Sequence, residues 1–552
     1  MSFQNCHKSS SEKQIVTTQT STFDDEIKFV SPAPKVASST SSSVLEPVFG
    51  PGRDGLFCKS GTRGSLLKPI VLCLSTSFGG FIFGWDVGTI GGISNMESFK
   101  NNFGTLFNAR TGTHYFPDML IGLVISIFNI GCAVGGLTLA KVGDWKGRKI
   151  GIYASLLVYV VGLLIQVVNS TRWYQFFVGR IFSGLAVGST AVLVPMFISE
   201  SAPLQIRGAM VVLYQLMITL GILMGNVVNY ACKKTIADAL ANKSWQIPVA
   251  LGFVWSLVIA VGIFSMPESA QFLVVKKNDV DGALRSVAIM NSLSEKDPFV
   301  AEQVEHLALY DIDRSPDTQS NTNWLEFLVG RPRLGLRLLT GMLVMAFQQL
   351  SGANYFFYYG TTLFDSVGVD DSYVTSILLS SVNFASTFGG IYLVEKLGRK
   401  SCLLLGSAGM FVCMTVYASI GSFALRVGGD NVVPGAVMIA FTCIYIMFFA
   451  CTTGPVSFVV ISELFPARTK AISMAICTSI NWFANFLISL FTPYITSEIG
   501  FRYGYVFAGC LLLSVVFVWC MVPETKGLTI EQVDELYTPC ESKESSCGTR
   551  SV

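Results

Sequence analysis

Gln348-Gln349-Leu350-Ser351-Gly352-Ala353-Asn354-Tyr355-Phe356-Phe357-Tyr358-Tyr359 is the stretch on which the fold of this chain turns. It lies inside an apolar run from about residue 336 to 364, long enough to cross a bilayer. Carboxamides and a run of aromatics do not belong on a lipid-facing helix. In hydrocarbon an unpaired amide costs several kcal/mol, on the order of a lost hydrogen bond with its desolvation. These side chains must face a bundle interior or a wet cavity. Amides donate and accept without net charge, and ring faces stack on C–H surfaces. The set suits a neutral polyhydroxylated ligand better than an ion. A lone amide would serve as interhelical glue. Gln348, Gln349 and Asn354, beside aromatics, favour a ligand site.

Beyond this stretch, the chain of 552 residues is 51% hydrophobic and only 13% charged. Soluble proteins carry about 25% charged residues, so this is a polytopic membrane protein with the lipid bilayer as a partner. The net charge of +2 comes from basic residues in loops and gives no reason to expect nucleic acid. Fourteen cysteines are scattered without a CxxC spacing and suit small apolar core positions. His7, His114 and His306 are isolated, so no metal site is expected. No Walker-type loop and no nucleophile–base set appear. An enzyme and a bound cofactor are not expected.

Residues 1–66 are rich in Ser and Thr and are expected to form a disordered cytoplasmic tail. Lys8, Lys13, Lys28 and Lys35 there are candidate attachment points for ubiquitin-linked turnover machinery. No cleavable signal is seen, so the first span serves as targeting signal. Apolar runs follow at about 69–93, 119–140, 150–168, 174–197, 209–231, 247–266, 335–363, 373–394, 401–424, 434–460, 472–497 and 503–522, each near the roughly 20 residues a helix needs to span. The expected fold is all-α, with twelve transmembrane helices in two pseudo-symmetric six-helix halves. Residues 67–266 form the N-terminal half and 335–526 the C-terminal half. A cytoplasmic linker, 267–334, carries short helices near 279–290 and 299–309. A short cytoplasmic tail, 527–552, ends the chain. Lys and Arg in the short loops place both termini in the cytoplasm. Sequons at Asn169 and Asn242 then fall outside and make the chain a candidate glycoprotein.

The halves echo one another at an offset of roughly 250–260 residues, as repeated transporter halves do. Gly147-Arg148-Lys149 returns as Gly398-Arg399-Lys400. Ser199-Glu200 with Arg207 returns as Ser462-Glu463 with Arg468. Pro267-Glu268-Ser269 returns as Pro523-Glu524-Thr525. Each echo lies at an expected cytoplasmic helix end. Arg148, Glu200, Arg207, Glu395, Arg399, Glu463 and Arg468 are therefore expected to form a cytoplasmic gate. One exposed pair is worth about 0–1 kcal/mol, but a partly desolvated network could bias a two-state equilibrium by a few kcal/mol. Asp86 and Arg180, ionisable residues within apolar runs, are functional candidates by default.

The ordered set of Gly143-Asp144-Trp145-Lys146-Gly147-Arg148-Lys149, Pro267-Glu268-Ser269, Gln348-Gln349-Leu350-Ser351-Gly352-Ala353-Asn354, Glu395-Lys396-Leu397-Gly398-Arg399 and Pro523-Glu524-Thr525-Lys526-Gly527 resembles the sugar porter branch of the major facilitator superfamily. The resemblance covers about residues 68–537. Phe83-Gly84-Trp85-Asp86-Val87-Gly88-Thr89-Ile90 and Ser381-Val382-Asn383-Phe384-Ala385-Ser386-Thr387 look like budding-yeast hexose transporters. The resemblance implies a monosaccharide near the midplane, in the plasma membrane, moved by alternating access. It implies ligand contacts at Gln215, Gln348, Gln349, Asn354, Asn383 and Asn481, with an aromatic wall at Phe458 and Trp482. Asn485 fits ligand contact and interhelical bonding equally. Gly454-Pro455 and Pro195 are expected to break their spans and act as hinges. The chain departs from the family where tryptophans are usual: Phe458 and Thr453 stand there. Such a change shifts substrate preference by about 1–3 kcal/mol, leaving glucose, galactose, a pentose or a polyol open. Asp86 and Arg180 imply candidate proton coupling. By likeness to passive yeast carriers the adopted reading is facilitated diffusion, with proton symport through Asp86 as the alternative. A sugar sensor that transports nothing is the rival of another class.

Overall fold

The computed structural model describes residues 67–108, 113–168, 172–202, 207–236, 242–312, 333–365, 372–425, 432–465, 469–528 and 530–537. The expectations for the 1–66 tail, for Asn169 and for Arg468 lie outside these residues. Apolar runs become helices because only a helix pairs every backbone amide within its own segment in hydrocarbon. Among the described residues, eleven helical stretches are long and apolar enough to cross a membrane.

The leading stretch, residues 67–312, contains α1 (Leu67–Ser77), α2 (Gly79–Ile93), α3 (Glu97–Phe103), α4 (Asp118–Leu137), α5 (Lys141–Lys146) and α6 (Arg148–Val167). It continues with α7 (Trp173–Ser201), α8 (Arg207–Thr235), α9 (Lys243–Ser265), the single turn α10 (Ala270–Phe272), α11 (Val280–Asn291) and α12 (Pro298–Ile312). The trailing stretch, residues 333–537, holds α13 (Leu334–Leu350), α14 (Ala353–Asp365), α15 (Ser372–Leu397), α16 (Arg399–Ser419) and α17 (Val432–Cys451). It ends with α18 (Thr453–Leu464), α19 (Lys470–Ile499), α20 (Tyr503–Met521) and α21 (Ile530–Tyr537). Within the leading stretch α2 packs on α8, and α7 on both α4 and α6. In the trailing stretch α16 packs on α17 and α20. The two stretches meet where α4 lies along α19, α8 along α15 and α2 along α14.

The short helices α11 and α12 match the apolar spacing at 279–290 and 299–309. Asp279 starts α11 by accepting the Gly282 N–H at 2.8 Å, a side-chain cap. The fold is all-helical as expected, with one small two-stranded antiparallel hairpin, β1 (Leu106–Asn108) with β2 (Thr113–Tyr115), and two local expectations need correcting. Strands of three residues are too short to show an alternating pattern. Pro195 does not break its span: α7 runs through it to Ser201. The run at 335–363, expected as one helix, is interrupted at Ser351 and Gly352, where Gly352 has φ +90°. The Gly454-Pro455 break is present, between α17 and α18 at Thr452.

The internal repeat has a definite backbone meaning. Gly147 (φ +116°) and Gly398 (φ +87°) each turn the chain directly into a helix. Helix N-termini leave backbone N–H groups without partners. Glu268 takes the N–H of Arg148 at 3.0 Å and that of Lys149 at 3.3 Å. Glu524 takes those of Arg399 at 2.8 Å and Lys400 at 3.1 Å. Each carboxylate also sits at the positive end of a helix dipole. A Cβ on Gly147 would lie 2.6 Å from Glu268 Oε2, and one on Gly398 2.6 Å from Glu524 Oε2. Strain and displaced carboxylate together predict that Gly398→Ala destabilises the purified protein by about 1–3 kcal/mol. Gly509, where an added methyl would meet nothing within 4 Å, is the control site. Thermal unfolding in detergent should fall by several degrees, roughly, for Gly398→Ala and stay level for Gly509→Ala; equal curves would refute the cap.

Candidate functional site

The break after α13 lets three amides converge with one from α19. Gln348 Nε2 donates to the Gly454 carbonyl at 2.9 Å, joining α13 to α18. Asn481 Nδ2 donates to Gln348 Oε1 at 2.6 Å and to the Met345 carbonyl at 2.9 Å. Gln349 Nε2 donates to Asn481 Oδ1 at 2.9 Å. Asn354 Nδ2 donates to Gln349 Oε1 at 2.6 Å. The result is a ladder running Asn354, Gln349, Asn481, Gln348, Gly454. The Ser351 carbonyl, at the interruption, accepts from Tyr445 Oη at 2.8 Å. Gln348 and Asn481 are buried, whereas Gln349 and Asn354 are half-buried.

Trp482 follows Asn481 and packs edge-on against Phe83 of the leading stretch, with centroids 4.9 Å apart. Its indole N–H has no hydrogen-bond partner among the described residues. Asn383 on α15 is 2% exposed, and its carboxamide oxygen likewise lacks one. Orphaned buried polar atoms require an explanation. Gln215 and Phe458 do not join the ladder. They border a cavity of about 20 Å³ together with Pro195, Tyr214 and Pro455. That volume holds a single water. In this conformation the amides satisfy one another, so a larger guest requires them to exchange partners and the helices to part.

Asn485 is spent on interhelical bonding. It donates to Asn129 Oδ1 at 3.1 Å and Tyr358 Oη at 3.3 Å, and Ser489 donates to its Oδ1 at 3.2 Å. Asn129 belongs to the leading stretch, so this bond ties the two together. Other ties are Asn226 to Ser380 at 2.8 Å, Tyr373 to the Gly92 carbonyl at 2.9 Å and Ser479 to the Ala133 carbonyl at 3.2 Å.

Asp86 and Arg180 form a buried ion pair at 3.1 Å. Tyr159 donates to the other Asp86 oxygen at 2.9 Å. The Arg180 guanidinium lies 4.4 Å from the Phe128 ring centroid, and Phe128 meets Trp482 edge-on at 6.5 Å. The pair is thus one ring removed from the aromatic wall.

The charged residues of the repeat make two matching clusters. Arg148 grips Glu200 at 3.1 and 3.0 Å and Asp144 at 2.8 Å, while Ser269 donates to Glu200 at 2.5 Å. Arg399 grips Glu463 at 3.2, 3.1 and 2.8 Å, and Thr525 donates to Glu463 at 2.6 Å. Bidentate Arg–carboxylate pairs are the strong kind. Both pairs are partly buried, which shields them from solvent more than an exposed pair. Glu395 is peripheral, 4.0 Å from Arg399 with a side chain 62% exposed. Arg207 opens α8, but its side chain lies outside the described residues. Among the described residues, neither cluster forms an ion pair with the other stretch.

Sequence reasoning gave no role to Glu268, Glu524, Asp144, Ser269 or Thr525, although each sits in a quoted motif. It also passed over Tyr159 and Arg337, and the latter carried a signal: an arginine inside an apolar run.

Residues 72–537 match the family model described as Sugar (and other) transporter. Hexose transporter HXT14 of Saccharomyces cerevisiae is 49% identical over 499 residues, covering 88% of this chain and 92% of its own. Hexose transporter 2 of Kluyveromyces lactis is 47% identical over 482 residues, covering 86% of this chain and 83% of its own. In structure, the proton:xylose symporter XylE of E. coli, bound to 6-bromo-6-deoxy-D-glucose, matches with a TM-score of 0.72 at 23% identity, over 85% of this chain and 99% of that one. The helical bundle therefore has the major facilitator fold, and with a model match over most of its length and relatives near half identity this multi-pass membrane chain belongs to the Sugar (and other) transporter family.

Proposed function

We propose that this chain carries a hexose across the plasma membrane by alternating access, as facilitated diffusion. The observation that carries the proposal is the ladder of neutral amides beside Trp482 and the orphaned Asn383 oxygen. A sugar hydroxyl both donates and accepts, so each can replace one amide-to-amide bond without bringing a charge into hydrocarbon. An ion would leave its charge uncompensated there. Hexose as the class follows the names of the yeast relatives. Gln215 and Phe458, the remaining proposed sugar contacts, line the small cavity beside Pro195 and Pro455. Phe458 and Thr453, where the family usually carries indoles, widen the wall and leave room for an axial hydroxyl.

In this reading the chain crosses twelve times, the 50-residue segment Ile472–Met521 counting as two crossings about its turn at Gly500–Arg502. The two stretches are the rocking halves and both termini are cytoplasmic. The Arg148 and Arg399 clusters make each half stiff at its cytoplasmic end, with Arg207, Glu395 and Arg468 completing the gate. The N-terminal lysines serve turnover.

Uptake of labelled sugars by a yeast cell stripped of its own hexose carriers tests the assignment. Asn383→Ala should raise the hexose KM about tenfold or more, as loss of a hydrogen-bonding partner for a hydroxyl does. Asn485→Ala should leave KM within about twofold, because its bonds go to protein. Equal losses would sink the site, and no counterflow of labelled hexose in vesicles would favour a sensor.

Symport is the second reading, favoured by the buried Asp86 and by the fold match to a proton symporter. Against it, both Asp86 oxygens are already engaged, accepting hydrogen bonds from Arg180 and Tyr159. The expected outcome is no alkalinisation of a lightly buffered medium when hexose is added. A sugar-dependent pH rise abolished by Asp86→Asn would establish coupling instead.

A further inference from the structure

Arg337 is an arginine with no exposed surface, near the start of α13. A guanidinium without contact to water needs an anion beside it. Its anion belongs to the last described helix: Asp534 Oδ1 lies 2.6 Å from Arg337 Nη1. Tyr537, one turn further along α21, places its ring 5.0 Å from the guanidinium carbon. Burial pushes the Tyr537 phenol up to about 12, with Arg337 pulling the other way, so the ring stays neutral. Val533 and Tyr537 are themselves buried among Leu334 and Leu338 of α13, Ile461 and Leu464 of α18, and Cys477 of α19.

Arg337 also donates through Nε to the Leu464 carbonyl, the C-terminal residue of α18, at 2.8 Å. The spacing gives this bond its meaning. Gln348 lies eleven residues after Arg337, three helical turns, and so shares its face. It bonds the carbonyl of Gly454, ten residues before Leu464. On both helices the two attachment points are about 15–17 Å apart at 1.5 Å per residue. The antiparallel pair α13 and α18 is thus pinned by two matching rungs. The upper rung belongs to the amide ladder. The lower rung depends on an arginine whose counter-charge comes from α21.

We propose that Asp534 and Tyr537 form a clasp on Arg337 by which the C-terminal helix fixes the register of α13 against α18 and so positions Gln348 and Gln349 for sugar. These three are positioning residues, since none touches the ladder. The proposal rests on the hexose-carrier reading above for its ligand, not for its geometry. Loss of the clasp frees α13 to slide or rotate, and the ladder then presents its amides in several arrangements. Sugar affinity weakens while the chain still crosses the membrane.

The test uses the full-length chain, tagged at its N-terminus, in the carrier-deficient yeast cell. Asp534→Asn and Tyr537→Leu should each raise the KM for labelled glucose or galactose about three- to tenfold, with maximal rate per surface molecule within about twofold. Asp534→Glu, which keeps the charge, should remain near the parent. Hydrogen–deuterium exchange on the purified proteins supplies a readout that needs no sugar. Peptides from 334–350 should exchange faster in Asp534→Asn, and those from 118–137 should not change. A KM that does not move, or a fall in surface amount alone, overturns the clasp and leaves a plain folding contact. Unchanged exchange over 334–350 overturns it too. If the parent chain carries none of the sugars, the hexose reading fails, and exchange alone then decides the clasp.

Discussion

The carboxamide of Asn481 is the interaction on which the site depends. It donates to Gln348 and accepts from Gln349, so neighbouring residues of α13 are held by one side chain of α19. Gln348 and Asn481 are buried, and an unpaired amide in such surroundings is costly. The interruption at Ser351 and Gly352 and the carbonyl of Gly454 both serve that pairing. A site built this way is never bare. Under the proposed function it exchanges internal bonds for ligand bonds of the same kind, which keeps the difference between loaded and unloaded forms small. A carrier needs that balance, since tight binding would hold its cargo.

Charge is handled differently from neutral polarity. The strong guanidinium–carboxylate grips at Arg148 and Arg399 stay within their own stretches. Hydrogen bonds that cross between stretches, at Asn129, Asn226, Ser479 and Tyr373, join uncharged groups. The ionic clusters bind helix ends into blocks, and weaker neutral bonds join block to block. Glu268 and Glu524 finish each block by capping the helix that the cluster's arginine begins.

Much of this was legible in the sequence, and what was not has physical causes. Low charge and long apolar runs gave the helices, and three amides close together marked residues that the fold joins in one ladder. The echoes at Arg148 and Arg399, and at Glu200 and Glu463, located the clusters. Spacing along one run says nothing of a partner 132 or 133 positions away, so the mutual bonding of Gln348, Gln349 and Asn481 could not be read. For the same reason Glu268 looked like part of a motif, while its work is done 120 positions upstream. Pro195 misled because a buried helix packed on its neighbours can continue past a missing N–H. Asn485 resembled a ligand amide in sequence and is consumed by Asn129 and Tyr358 in space.

The neutrality of the seam between the stretches bears on the setting in which such a protein works. Dissolved salt weakens attraction between exposed charges but has little purchase on buried dipoles. The hydrogen bonds at Asn129, Asn226 and Ser479 are therefore contacts on which ionic strength has little direct effect, whereas Tyr373 also carries the Lys233 ammonium 4.3 Å from its ring centroid.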